Sequence, residues 1–73
     1  MNYQLLTILR DKLSQQELQD LCFLVGADYQ NFPNRDPSEF AKALIGYVQR
    51  RNMLTQLVTS GKEIRSDLDW PTL

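Results

Sequence analysis

The sequence predicts an all-α fold, a bundle of five or six short helices. Three observations lead there. Apolar residues recur at helical spacing along nearly the whole chain, and no segment alternates apolar and polar residues over the length of a strand. Helix-start signals recur as well, at Ser14-Gln15-Gln16-Glu17, Asp36-Pro37-Ser38-Glu39 and Ser60-Gly61-Lys62-Glu63. With 73 residues, 42% of them apolar, the chain has material for one domain and one core. A domain this small buries only about 60% of the surface that its unfolded chain exposes, so a partner surface would add to a thin margin of stability.

Leu5, Leu6, Leu9 and Leu13, with Ile8 on the flank, predict a first helix over residues 2–13. Ser14-Gln15-Gln16-Glu17 has the form of a capping box, in which the Ser14 hydroxyl and the Glu17 carboxylate satisfy amides that a new helix leaves unpaired. The second helix then buries Leu18, Leu21, Cys22 and Val25, and Gly26 supplies a left-handed stop. Asp28 to Pro33 is too short for a full helix; Asp28 caps a single turn and Pro33 ends it. Asp36 as N-cap, Pro37 at the first helical position and Glu39 three residues after the cap open a longer helix reaching Arg51, with Phe40, Ala41, Leu44, Ile45 and Val48 as its stripe. Gly46 weakens that helix by about 1 kcal/mol relative to Ala, a cost consistent with a neighbour approaching closely there.

Asn52, a residue that tolerates the left-handed conformation, joins this helix to a shorter one carrying Met53, Leu54, Leu57 and Val58. Ser60-Gly61-Lys62-Glu63 then starts a final turn bearing Ile64 and Leu68. The domain is expected over residues 1–68. Residues 69–73, with Trp70 and Pro71, read as the start of a linker or tail, or as a strand laid against the bundle.

Residue chemistry narrows the function. The chain has no histidine and a single cysteine, which removes the commonest acid/base group and any internal disulfide. Cys22 lies on the apolar stripe, where burial raises a thiol's pKa, and so reads as structural. Glu17 with Asp20, and Asp36 with Glu39, could each form a carboxylate pair, but both pairs sit at helix starts, where the dipole favours negative charge. The three glycines are scattered and form no phosphate loop. The expectation is a protein that is not an enzyme, with no cofactor and no metal. No stretch approaches the roughly 18 apolar residues of a membrane span, and the N-terminus lacks the basic segment of a secretory signal. The chain therefore reads as cytoplasmic, with no membrane partner.

Charge is unevenly spread. Residues 1–39 hold six acids and three bases, and residues 40–73 five bases and three acids, so −3 and +2 lie behind a net charge of −1. Lys42, Arg50 and Arg51 form one candidate interface face; Glu17, Asp20 and Asp28 form the other. Such faces can meet copies of the same chain head to tail, giving a homo-oligomer. Helix dipoles alone also place acids at helix starts and Arg50 and Arg51 at a helix end. Tyr29 is a candidate aromatic anchor. Phe23 lies opposite the main stripe of its helix; it either fills a gap beneath the turn at 28–33 or is an exposed anchor, and a central helix covered on several sides favours the core. The rival reading from another class is a small helical nucleic-acid-binding or regulatory module. Against it, residues 15–32 carry Glu17, Asp20 and Asp28 and no Lys or Arg, so phosphate would be repelled and no nucleic-acid partner is expected.

The stretch Leu21-Cys22-Phe23-Leu24-Val25-Gly26-Ala27-Asp28-Tyr29-Gln30-Asn31-Phe32-Pro33 resembles the L-C-F-x-L-G-x-D-Y-E-x-L-P signature of the effector-associated domains of the seventh type, small death-like domains of bacterial, notably cyanobacterial, conflict systems. The run from Ala41 to Leu54 is similar to the family's K-A-x-x-L-I-x-Y-x-x-R-R-G-x-L. The likeness covers about Leu5 to Val58. Asn34 and Asn52 stand where the family has Gly, and Gln30 replaces an acid. The resemblance implies a death-fold-like bundle of five or six short antiparallel helices that catalyses nothing. It implies an adaptor that binds like death-fold domains homotypically and recruits or oligomerises an effector such as a protease, a TIR domain or an NTPase, C-terminal or separately encoded. The setting it implies is bacterial defence or programmed-cell-death-like signalling.

Overall fold

The two Schellman closures decide how the helices turn back on one another. Val25 caps the second helix, Gly26 stands at φ 74°, and the amides of Gly26 and Ala27 donate to the carbonyls of Phe23 and Cys22 at 3.2 and 2.8 Å. Arg51, Asn52 and Met53 repeat the pattern at the end of the third, with Asn52 at φ 56° and its amide and that of Met53 donating to Gln49 and Val48 at 3.2 and 2.8 Å. The structure is a computed structural model and describes residues 3–33 and 36–72.

Helix α1 (Tyr3–Thr7) continues into a wider, π-type turn over Ile8–Lys12, and Leu13 then drops to an extended conformation. Helix α2 (Gln15–Leu24) begins with both halves of the capping box in place: the Glu17 amide donates to Ser14 Oγ and the Ser14 amide to Glu17 Oε1. A 3₁₀ turn over Tyr29–Asn31 follows, with Asp28 Oδ1 accepting from the Gln30 amide. Helix α3 (Pro37–Arg50) starts as its sequence dictates, with the Asp36 side chain accepting from the Ser38 amide and Pro37 in the first turn. Helix α4 is Leu54–Ile64.

Four α-helices therefore stand among the described residues, fewer than the five or six expected. The difference lies at Ser60. No new turn starts there, because Ser60 is an interior residue of α4, buried with Leu57, Val58 and Gly61 against the bundle. A serine inside a continuous helix has no free helix start to cap. The first helix also departs from a uniform α-helix at Ile8, while the expected start at Asn2 lies outside the described residues.

The apolar stripes close on one core. Leu5 and Leu9, Leu21 and Cys22, Phe40, Leu44, Ile45 and Val48, and Leu57 are fully enclosed, each large side chain contributing about 1.5–3 kcal/mol of transfer free energy. Helix α2 packs against α4, while α3 packs on α1, the π-type turn and α4. Gln56 Nε2 reaches the Leu24 carbonyl (3.4 Å) and Arg65 reaches Glu17 (3.2 Å), so the start of α4 meets the end of α2 and the reverse: the two are antiparallel. The turn at 28–33 lies along α3, Tyr29 on Phe40 (5.1 Å between ring centroids) and Phe32 between Phe40 (5.8 Å) and Tyr47 (5.5 Å). The tail from Asp69 packs back on the bundle through Trp70, 6% exposed. At Gly46, a Cβ would meet only the end of the Arg50 side chain, at 3.5 Å. The close approach to a glycine occurs instead at Gly61, under Trp70.

Candidate interaction surface

On α2 the stripe Leu18, Leu21, Cys22 and Val25 points inward, so the opposite face of the same helix carries Gln16, Asp20 and Phe23. Phe23 is 82% exposed. The expectation that it fills a gap under the turn at 28–33 is thus overturned. Tyr29 and Phe32 already occupy that side of α3, and Phe23 lies too far around its helix to join them. Leu24 beside it is 40% exposed. The signal for Phe23 was its angle from the stripe, which outweighs the central place of its helix in the chain.

The three acids grouped by sequence have different occupations. Glu17 accepts from the Ser14 amide (2.8 Å) and pairs with Arg65 (3.2 Å). These contacts, with the backbone donor first, hold its carboxyl below the usual glutamate value. Asp28 caps the 3₁₀ turn. Asp20 is exposed and, among the described residues, accepts only from Gln16 Nε2, at 3.1 Å, within its own helix. The Arg65 clasp was beyond sequence reasoning, since its partners lie far apart in the chain: Nη1 also reaches the Lys12 carbonyl (3.3 Å), and the rest of the guanidinium forks onto Asp67 at 2.9 Å.

The cations are arranged more openly. Lys42 and Arg50 are exposed on α3, away from its buried stripe, and Arg51 is its exposed C-cap. The Arg51 guanidinium lies over the Tyr47 ring, 4.3 Å from the centroid. None of the three, and not Asp20, enters an ion pair among the described residues. Tyr29 is half-buried, with its ring against Phe40.

A cleft of about 160 Å³ is lined by Arg10, Leu13, Gln15, Leu18, Tyr29, Pro37 and Phe40, with neither Glu17 nor Asp36 on its wall. Cys22 is buried, and its thiol is pushed up to about 11 by burial and by the charge of Asp28.

A family model for effector-associated domain 7 matches residues 4–66. The chain belongs to that family. No curated protein and no solved structure matches it. In this effector-associated domain the matched region takes in all four helices, except for Tyr3, and the Arg65–Glu17 ion pair, and it ends just before Asp67. Its helices form a bundle, and none among the described residues is long and apolar enough to cross a membrane. The signature residues divide by role: Leu21 and Cys22 are core, Gly26 and Asp28 shape the chain, and Phe23 faces out.

Proposed function

We propose that this effector-associated domain is a non-catalytic adaptor with a death-fold-like role: it pairs with like domains, its own copies among them, and thereby gathers an effector such as a protease, a TIR domain or an NTPase into an oligomer. The setting is bacterial defence or programmed-cell-death-like signalling, within the cytoplasm. What carries this reading is a set of exposed charges that enter no ion pair among the described residues: Lys42 and Arg50 on α3 and Arg51 at its C-cap, against Asp20 on α2. Exposed charges satisfied within one chain contribute little to binding; opposite charges left open on two elements offer a second copy both ends of a contact. Each pair is weak, and repetition along an assembly multiplies them.

Sedimentation velocity across protein concentration and salt tests the proposal. Association that weakens with salt is expected, lost in Arg50→Glu/Arg51→Glu and recovered on mixing that variant with Asp20→Lys. Glu17 is left intact because it holds Arg65. A chain that stays monomeric at high concentration and low salt, and that binds no like domain, rejects the reading.

A further inference from the structure

We propose that Phe23 is the anchor of self-association, and that it docks on the Arg51–Tyr47 stack of a second copy. The inference rests on the self-association reading and names the groups that meet. Phe23 is 82% exposed on the outward face of α2, with Asp20 one turn before it on the same face. An aromatic ring left in water beside an acid without a cation is suited to a partner that offers a flat cation and a neighbouring charge.

The chain itself holds such a partner. The Arg51 guanidinium lies over the Tyr47 ring, 4.3 Å from its centroid, and Arg51 is an exposed residue. A planar guanidinium accepts an aromatic ring on each face. Phe23 of a second copy would complete the sandwich, and Asp20 would come within reach of Arg50, the next cation along. Charge complementarity selects a second copy as the occupant: the acid travels with the ring, and the cations with the stack. The contact is heterologous, with different surfaces on the two copies, so each domain keeps one free half for the next neighbour.

This asymmetry supplies the test. Phe23→Ala removes the anchor and leaves the receiving stack; Arg51→Ala removes the stack and leaves the anchor. Both positions are exposed, and circular dichroism verifies that the helices persist. By sedimentation velocity at low salt, each variant alone should associate about tenfold or more weakly than the unmodified chain, and an equimolar mixture should form dimers through the one intact pair. Phe23→Trp should retain association. If the unmodified chain associates and Phe23→Ala does so equally well, or the mixture stays monomeric, the anchor is wrong while the self-association reading stands. If the unmodified chain is monomeric throughout, both fall.

Discussion

The six-membered ring of the Trp70 indole rests on the Cα of Gly61: a Cβ at that position would stand 2.6 Å from both Cζ2 and Cζ3. The indole N–H donates to the Arg65 carbonyl at 2.8 Å, so the ring cannot retreat without releasing that bond and lifting the tail. In an ordinary helix interior Gly→Ala stabilises by up to about 1 kcal/mol. At Gly61 the sign reverses, and Gly61→Ala is expected to cost about 1–3 kcal/mol through overpacking. Gly46→Ala is the control, because its Cβ meets only the end of Arg50 at 3.5 Å, and it should leave stability equal or higher. Urea midpoints of the two variants decide this; equal effects at both sites would mean that Trp70 does not fill the space.

The sole tryptophan also reports on its own seat. Its fluorescence should be blue-shifted in the folded chain and move to the red in Gly61→Ala under native conditions, ahead of any loss of helical circular dichroism. Trp70→Ala should lower stability by about 3–5 kcal/mol. An emission maximum already at the position of the unfolded chain would place the ring in water.

Acid should weaken the fold through Glu17. Its carboxyl is lowered from 4.5 by the Ser14 backbone amide first and Arg65 thereafter. A carboxyl lowered on folding contributes stability that is present above its unfolded value and is lost as pH falls through the folded one. Glu17→Gln keeps a capping-box partner and removes the charge. The variant should therefore be less stable than the unmodified chain at pH 7, and the two curves should converge as pH falls through the lowered range in which the folded carboxyl takes up its proton. Parallel curves across the range would mean that the carboxylate contributes through shape alone.

What could be read from the sequence divides along a physical line. Signals confined to one turn of chain were legible: Ser14 with Glu17, Asp28, Asp36 with Pro37, Gly26 and Asn52 stand where local backbone chemistry requires them. The apolar stripe of each helix was legible too, because burial repeats with the helical period. Ser60-x-x-Glu63 misled, since the pattern omits whether the amide it would cap is already bonded in a longer helix. The contacts of Trp70 with Gly61 and of Arg65 with Glu17 depend on how the helices close on one another, and neither residue pair has a sequence period. On the candidate surface, Lys42, Arg50, Arg51 and Asp20 were legible as exposed charge, whereas Glu17 and Asp28 prove to be occupied within the fold. The exposure of Phe23 is legible in its angle opposite the stripe, which decides where the ring lies whatever the place of α2 in the chain.

Cys22 should be silent until the domain opens. Its thiol is buried and pushed up to about 11, so the thiolate that reacts is scarce at neutral pH. Labelling by a thiol reagent at pH 8 should proceed at the rate or population of unfolding and accelerate with urea in step with the loss of helix. Immediate stoichiometric labelling of the folded chain would contradict the burial. Cys22→Ser places a hydroxyl among apolar neighbours and should cost about 1–3 kcal/mol, with the association of the folded fraction unchanged.

Asn52 links the backbone to the candidate surface. It stands at φ 56°, where an ordinary L-residue is strained by about 1–2 kcal/mol and Asn or Gly is tolerated. Its amide and that of Met53 close α3, and the residue before them is Arg51, whose guanidinium the closure sets over Tyr47. Asn52→Gly should fall within about 0.5 kcal/mol of the unmodified chain, because relief of the left-handed strain is offset by a freer unfolded state. Asn52→Ala should lose about 1 kcal/mol, and Asn52→Val more, since a branched side chain crowds the same backbone. Association should follow a similar order, Asn52→Gly unaffected and Asn52→Val weakened even where the domain remains folded. Urea denaturation and sedimentation of the three variants measure both quantities, and three variants of equal stability would remove the left-handed requirement from the end of α3.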